Sequence, residues 1–143
     1  MKETNGYQFI TDIDENLYTR ADKLKIEQVL YNLISNAVNY TGEDKRVYVR
    51  LKKQGKGTFR FSVTDTGKGI KEHELDAVWE RYYRSSEIHK RPVKGTGLGL
   101  FIVKTVLEGH QFHFGIQTKE GEGSTFYVDF PIVELVEEPL DEA

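Results

Sequence analysis

The stretch ADKLKIEQVLYNLISNAVNY, residues 21–40, decides the fold of this chain. Apolar residues recur in it at helical spacing, and at about 100° per residue they fall on one broad stripe: Ile26, Val29, Leu30, Leu33, Ile34 and Ala37. The pattern predicts an amphipathic helix from Asp22 to Tyr40 with its stripe in the core. We expect Asp22 to cap the start of this helix and Thr41-Gly42 to end it with a C-terminal glycine.

Three asparagines lie on one flank of the predicted helix. Asn32, Asn36 and Asn39 fall within about 60° of arc beside the apolar stripe, and Tyr40 lies at the edge. Asparagine is a mediocre helix former because its short amide competes for backbone hydrogen bonds. A solvated polar face and a row of ligand-facing amides therefore remain equally open from this helix alone.

Segments on both sides of this helix alternate between apolar and polar residues, which is typical of β-strands. The predicted strands cover residues 7–14, 17–20, 47–51, 58–65, 112–116 and 126–130, and Pro131 ends the last one. A turn at 54–57 joins two of them in a hairpin. Helical patterns return at about 72–83 and from Leu98 to Leu107. The fold class that follows is α+β: a two-layer α/β sandwich whose mixed, mostly antiparallel sheet of about five strands carries three helices on one face.

Composition bounds the domain organisation. The chain has 143 residues, a formal net charge of -3 and no cysteine. Five of its 23 acidic residues lie in residues 132–143, which hold no basic residue, so the remainder has 20 basic against 18 acidic residues. We expect one domain over residues 1–131 and an acidic tail, 132–143, outside the fold. The lack of cysteine fits a reducing compartment and excludes disulfides and thiolate metal sites.

The sequence also argues against several classes of partner. No apolar run is long enough to span a bilayer and the N-terminal region lacks a signal-peptide pattern, so we expect a soluble chain with no membrane contact of its own. The four histidines show no zinc-like pairing, since the last two fall in a strand-like run that points them sideways. Basic residues are mostly dispersed, which argues against a nucleic-acid surface.

One carboxylate ends an apolar row. Phe59, Phe61, Val63 and Asp65 share one parity in the predicted strand 58–65 and therefore one face. Burying an unpaired carboxylate costs several kcal/mol, so Asp65 needs a dedicated donor or a place where the sheet meets a cavity. The alternative is that Asp65 caps the following turn, residues 66–69.

A glycine-rich run, GTGLGL at residues 95–100, opens the last predicted helix. The free amides and the positive dipole end of a helix N-terminus favour an anion, and the missing side chains let a phosphate approach the backbone. The preceding segment is basic, with Arg84, Lys90, Arg91 and Lys94 against Glu87 alone. The spacing of the glycines matches neither the Walker pattern nor the dinucleotide fingerprint.

Together these features fit a pocket for a purine nucleotide. The carboxylate of Asp65 can accept the exocyclic amine of adenine, and the amide row can hold Mg²⁺ through its carbonyl oxygens. The glycine-led helix and the basic residues before it can neutralise a triphosphate.

At this point the sequence resembles the catalytic and ATP-binding domain of two-component sensor histidine kinases, in the superfamily that includes gyrase and MutL. The resemblance runs from about Ile26 to Phe130 and involves boxes in the family's order: NLISNAVNY at 32–40, DTGKGI at 65–70, WERYYR at 79–84, GTGLGL at 95–100 and GEGSTF at 121–126. Agreement in five places is very improbable by chance.

The resemblance implies a role for each matching residue. Asp65 would hydrogen-bond the adenine amine and Tyr40 would cover the base, with Thr125 supporting the adenine end. The expected catalytic residues are Asn32 and Arg84, and the expected Mg²⁺ ligands are Asn36 and Asn32. The expected contacts with ATP are Asn36, Asn39, Tyr40, Asp65, Gly67, Gly69, Ile70, Tyr83, Arg84, Lys94, Gly95, Thr96, Gly97, Leu98, Gly99, Leu100 and Thr125.

The resemblance also implies a reaction and partners. The family transfers the γ-phosphoryl group of ATP to a histidine on a separate dimerisation and phosphoacceptor domain, largely by positioning and charge neutralisation. A response regulator would act downstream. The isolated domain is expected to be monomeric and cytoplasmic, either free or at the cytoplasmic end of a membrane-bound sensor.

Three departures from the family pattern stand out. Asn39 replaces a lysine that reaches a phosphate in many relatives. Trp79 and Tyr82 replace phenylalanines, and both can still anchor by packing. Gln111-Phe112 replaces a glycine pair, which affects the local turn.

The residues favour phosphoryl transfer to a protein over hydrolysis. Hydrolytic members of the superfamily carry a glutamate four residues before the metal-binding asparagine, where this chain has Asn32. An amide cannot take a proton at neutral pH, and Glu27 lies about 140° away around the helix. His73 lacks the basic residue and proline of the family's phosphoacceptor box, so we expect the acceptor elsewhere. A freestanding anti-sigma-type serine kinase and a non-catalytic, nucleotide-gated binding module remain as alternatives.

Overall fold

The long helix is present as α1, Lys23–Tyr40. Asp22 is its N-cap, and the Asp22 carboxylate accepts a hydrogen bond from the Lys25 N–H at 3.1 Å. Val29, Leu33 and Ala37 of the predicted stripe are buried. The start of the helix and its core-facing stripe are therefore confirmed.

The end of α1 differs from the prediction. The chain leaves the helix at Thr41 in an extended conformation, φ −64° and ψ 161°, and Gly42 does not take a positive φ. The physical reason is that the Thr41 hydroxyl donates to the Arg46 carbonyl, which turns the chain directly into the next strand. Gly42 is needed for space instead, because a Cβ there would lie 2.7 Å from the Thr66 carbonyl oxygen.

The computed structural model describes residues 6–81 and 98–134. Five strands lie in these ranges and form one sheet in the order β1-β2-β3-β5-β4. The edge pair β1–β2 is parallel and the other three pairs are antiparallel. The strands are β1 Gln8–Ile13, β2 Arg46–Gln54, β3 Thr58–Asp65, β4 His113–Thr118 and β5 Ser124–Pro131.

The second layer is made of α1 and α2, Gly99–His110, which contact each other on one face of the sheet. Alternate strand residues point toward these helices and form the core with Val29, Leu33 and Leu107. The predicted α+β sandwich with a mixed sheet of five strands is confirmed. In the parts of the chain that the structure describes, no helix is both long enough and apolar enough to cross a bilayer.

The predicted helix at 72–83 takes another form over its described part. Two 3₁₀ turns, Glu72–Glu74 and Ala77–Trp79, replace a continuous α-helix. Trp79 anchors them, because its ring packs edge-on against Phe114 at 5.2 Å and Phe126 at 5.8 Å between centroids. The expected packing role of Trp79 is therefore confirmed, and Tyr82 lies outside the described residues.

The predicted return strand at residues 17–20 is wrong. These residues form no strand, although the Val133 N–H donates to the Tyr18 carbonyl at 2.8 Å. The Ile132 N–H donates to the Gly57 carbonyl at 2.9 Å, so the first two residues of the predicted tail contact the domain. The rest of the acidic tail, 135–143, lies outside the described residues.

Candidate functional site

Asp65 ends β3 and is buried, with 4% of its surface exposed. Its Oδ1 accepts the Gly67 N–H at 2.8 Å, so the turn-capping role holds for this oxygen. A carboxylate has further lone pairs and can accept from a ligand at the same time. The two roles that the sequence left open for Asp65 are therefore compatible.

Close backbone contact seats the segment after Asp65 against the end of α1. A Cβ on Gly67 would overlap the carbonyl oxygen of Tyr40, so only glycine allows this approach. Gly69 has a φ of +76°, and a Cβ there would overlap the Lys119 carbonyl oxygen. Gly67 thus brings the last turn of the asparagine-bearing helix next to the buried carboxylate, and Gly69 seats the same segment against the backbone at Lys119.

The turn before β5 contacts the segment after Asp65 from the side opposite α1. The Thr118 hydroxyl accepts the Ile70 N–H at 3.0 Å and donates to the Gly123 carbonyl at 2.9 Å. The Gly121 N–H donates to the Lys68 carbonyl at 2.7 Å. The DTGKGI and GEGSTF boxes thus form one pair of linked loops, although residues 71–120 separate them in the sequence.

Thr125, which the resemblance places at the adenine end, lies apart from these linked loops in the structure. Its hydroxyl lies 2.7 Å from that of Thr64, its register partner, on the helix-free face of the sheet. Ser124 is the register partner of Asp65, shares its face and is 5% exposed. Strand parity could have identified it, because Ser124 has the parity of Phe126, which faces the core.

The amide row lies beside the start of α2. The Asn32 side-chain amide donates to the Gly99 carbonyl at a long 3.4 Å. Asn36 lies one turn further along the same flank of α1, and Asn32, Asn36, Asn39 and Tyr40 are all half-buried. The flank is thus neither core nor fully solvated, and it runs from α2 toward Asp65.

Several predicted nucleotide contacts lie outside the described residues: Tyr83, Arg84, Lys94, Gly95, Thr96 and Gly97. Leu98 is the N-cap residue of α2, and Gly99 and Leu100 lie in its first turn. Ile70 is half-buried and packs against the core.

Within residues 6–81 and 98–134, no group of three or more His, Cys, Asp or Glu side chains could hold a metal ion. The predicted Mg²⁺ ligands, Asn32 and Asn36, lie one turn apart on the same flank of α1. Amide carbonyls are hard oxygen ligands, and Mg²⁺ at nucleotide sites commonly takes few protein ligands together with phosphate oxygens and water. The donor set fits a nucleotide-bound Mg²⁺.

A second charged cluster lies on the helix-free face, away from the site. Arg60 makes two hydrogen bonds to Asp129, at 2.7 and 2.9 Å, and His113 Nδ1 lies 3.0 Å from the same carboxylate. Burial alone would raise the pKa of Asp129, but the hydrogen bonds with Arg60 and His113 outweigh it and hold that pKa below its usual value. Arg60 also stacks over the Tyr127 ring at 3.9 Å. We assign this cluster to stability.

Comparison with known proteins identifies relatives of this chain. Circadian input-output histidine kinase CikA of Synechococcus elongatus is 38% identical over 118 residues, which cover 82% of this chain and 16% of CikA. Sensor histidine kinase WalK of Bacillus subtilis is 34% identical over an alignment of 145 residues, which covers 100% of this chain and 24% of WalK. The chain therefore spans about a quarter or less of the length of these relatives.

Solved structures share the fold. The mycobacterial sensor histidine kinase MprB superposes with a TM-score of 0.79 at 26% identity, covering 90% of this chain and 86% of that one. Full-length ShkA in complex with AMPPNP gives 0.74 at 26% identity, covering 92% of this chain and 27% of that one. The catalytic domain of histidine kinase ThkA gives 0.71 at 28% identity, covering 87% of this chain and 80% of that one.

The family match covers the whole site. The profile described as "Histidine kinase-, DNA gyrase B-, and HSP90-like ATPase" matches residues 21–134, which include all five boxes. The predicted family is confirmed. The sheet, the linked glycine loops and this match lead to one conclusion: the chain belongs to the family of histidine kinase-, DNA gyrase B- and HSP90-like ATPases.

Proposed function

We propose that this domain binds Mg-ATP and transfers its γ-phosphoryl group to a histidine on a separate dimerisation and phosphoacceptor domain of the same kinase. The observation that carries the proposal is the contact of Gly67 with the Tyr40 carbonyl, because it brings a buried carboxylate next to the amide-bearing helix. The names of the relatives support it, since they are sensor histidine kinases and one was solved with AMPPNP.

Adenine is the base that this site suits. The Asp65 carboxylate would accept the exocyclic amine, and Ser124 beside it would take the supporting role that the resemblance implies for Thr125. Tyr40 and Ile70 would flank the base. Guanine presents a carbonyl where adenine has the amine, and two facing acceptors leave a polar group unsatisfied. ATP should therefore bind much more tightly than GTP.

Asn36 and Asn32 would hold Mg²⁺ against the phosphates. The ion supplies charge neutralisation to the transferred phosphoryl group when it is bound. Arg84, Lys94 and the glycine run 95–97 are proposed to face the phosphates, with Tyr83 beside them and Leu98, Gly99 and Leu100 completing the cradle. Asn39 would face the phosphates as an amide, where relatives use a lysine.

Transfer to a protein is favoured over hydrolysis. Asn32 stands where hydrolytic relatives carry a glutamate, and its amide donates to the Gly99 carbonyl. An amide cannot accept a proton from water, so water inside the site would lack a general base. The phosphoryl group would pass from the acceptor histidine to a response regulator. We also propose that the isolated domain is a cytoplasmic monomer, and that the acidic tail lies outside the fold apart from the contacts of Ile132 and Val133.

The test combines nucleotide binding with transfer. Calorimetric titration should show Mg-ATP binding to the wild type and a large loss of affinity for Asp65→Asn, with GTP bound weakly by both. Labelled ATP should leave this chain unlabelled, and it should label the phosphoacceptor fragment of the parent kinase with an acid-labile phosphate. Label on serine would favour the anti-sigma-type alternative, whereas binding without transfer would favour the nucleotide-gated module.

A further inference from the structure

The hydroxyl group of Thr41 joins three elements where α1 ends. Thr41 is 0% exposed, and its N–H donates to the Ala37 carbonyl at 2.8 Å in the last turn of the helix. Its Oγ1 donates to the Arg46 carbonyl, at the start of β2, at 2.6 Å. The same oxygen accepts the N–H of Thr66, the residue after Asp65, at 3.0 Å.

A second hydroxyl extends this network to the surface. Thr66 Oγ1 donates to the Asp44 carboxylate at 2.6 Å and accepts the Gly42 N–H at 3.2 Å. The Arg46 N–H also donates to Asp44, at 3.1 Å. The turn after α1 is therefore tied to the segment after Asp65 through side chains as well as through the sheet.

We infer that Thr41 is a positioning residue for nucleotide binding. The Thr41 hydroxyl fixes the position of the end of α1 relative to the Asp65 carboxylate. One ligand can then reach both that carboxylate and the amide side chains of α1. The contact between Gly67 and Tyr40 sets how closely the two segments approach, but packing alone does not fix their register. Hydrogen bonds are directional and supply that constraint. The inference rests on the proposed function, since it concerns the same site.

The Thr41→Val variant isolates the hydroxyl. Valine keeps the shape of threonine, but it leaves the Thr66 N–H and the Arg46 carbonyl without the partner that the buried Thr41 supplied. Such groups are costly to leave unpaired, so the segment after Asp65 should shift to find other partners. We expect the Kd for Mg-ATP to rise roughly tenfold, as loss of one or two hydrogen bonds would give. Thr41→Ser keeps the hydroxyl and should bind nearly as the wild type does.

A matched control separates positioning from stability. Phe59→Leu removes part of a ring that is 5% exposed and stacks on Phe130 at 5.3 Å, near the end of β3 remote from Asp65. It should lower the free energy of unfolding and leave the Kd for Mg-ATP unchanged in folded protein. A Thr41→Val protein that loses stability but keeps the wild-type Kd would overturn the inference.

A surface variant tests the same hydrogen-bond network if Thr41→Val does not fold. Asp44 is exposed, and Asp44→Ala removes the acceptor that holds the Thr66 hydroxyl. Because the Asp44 carboxylate also accepts the Arg46 N–H, two exposed hydrogen bonds are lost, and we expect the Kd for Mg-ATP to rise about threefold. An unchanged Kd would overturn the inference. Wild-type protein that binds no ATP would instead overturn the proposed function.

Discussion

Asp65, at the end of β3, is the register partner of Ser124 on the adjacent strand β5, and both side chains are buried on the side of the helices. The next residue, Thr125, pairs with Thr64 on the opposite face. Only the Ser124 hydroxyl therefore lies on the same face of the sheet as the carboxylate proposed to bind adenine, whereas the Thr125 hydroxyl lies on the other face.

We predict that Ser124→Ala weakens ATP binding and that Thr125→Ala does not. Loss of a hydrogen-bonding group next to Asp65 should cost about 1 kcal/mol, or roughly a fivefold rise in Kd. Thr125→Ala should change stability alone, through the lost contact with Thr64. Calorimetric titration of both variants with ATP measures these affinities. Weaker binding by Thr125→Ala than by Ser124→Ala would mean that Thr125, not Ser124, supports the adenine end.

The glycine that touches Tyr40 gives a second prediction. Gly67→Ala should destabilise the domain and abolish ATP binding, because its Cβ would overlap the Tyr40 carbonyl and force the segment away from α1. Gly57→Ala is the matched control: a Cβ there meets nothing within 4 Å, and its φ is not positive. Urea unfolding and ATP titration measure both effects. Equal behaviour of the two variants would show that the close contact is unimportant.

The charged cluster on the helix-free face predicts a dependence of stability on pH. Asp129 has a pKa lowered below its usual value of 3.8 in the folded state, so its contribution to stability is present above that value. It should be lost as the pH falls through the folded-state pKa. We expect the free energy of unfolding of the wild type to drop more steeply below about pH 4 than that of Asp129→Asn.

The control for this measurement is Glu27→Gln, which neutralises an exposed carboxylate on α1. It should follow the wild-type profile, apart from a uniform offset. Urea unfolding between pH 7 and pH 3 provides the data. Parallel profiles for the wild type and Asp129→Asn would mean that the ion pair with Arg60 adds no stability.

Gln111 takes a backbone conformation that favours the glycine of the family pattern. It follows α2 with a φ of 62°, the left-handed conformation that glycine adopts at least cost. Gln111→Gly should therefore raise the free energy of unfolding by up to about 1 kcal/mol, the strain of the left-handed residue less the added entropy of the unfolded chain. Thermal unfolding measures it. A lower melting temperature would mean that the Gln111 side chain stabilises the fold in another way.

Asn32→Glu tests the absence of a general base. A carboxylate at this position could take a proton from water beside the bound phosphates, so the variant should hydrolyse ATP faster than the wild type. Asn32→Gln is the control, because it lengthens the side chain without adding a base. Phosphate release by the isolated domain is the measurement. Brisk hydrolysis by the wild type would contradict the preference for transfer to a protein.

The sequence by itself predicted α1, α2 and the five strands of the sheet, together with the chemistry of the side chains that they bear. The stripe from Ile26 to Ala37 gave α1, because helix periodicity is a local property of the chain. Strand parity put Asp65 on the core face for the same reason. The boxes identified the family before any coordinates.

Only the tertiary structure decided how these groups meet. The pairing of Asp65 with Ser124, the bond of Thr41 to Thr66 and the packing of Trp79 on Phe114 all join residues far apart in sequence. Local patterns carry no information about such contacts, because register and close approach depend on which surfaces pack together. The sequence therefore supplied the residues that could bind ATP, and packing selected which of them lie together.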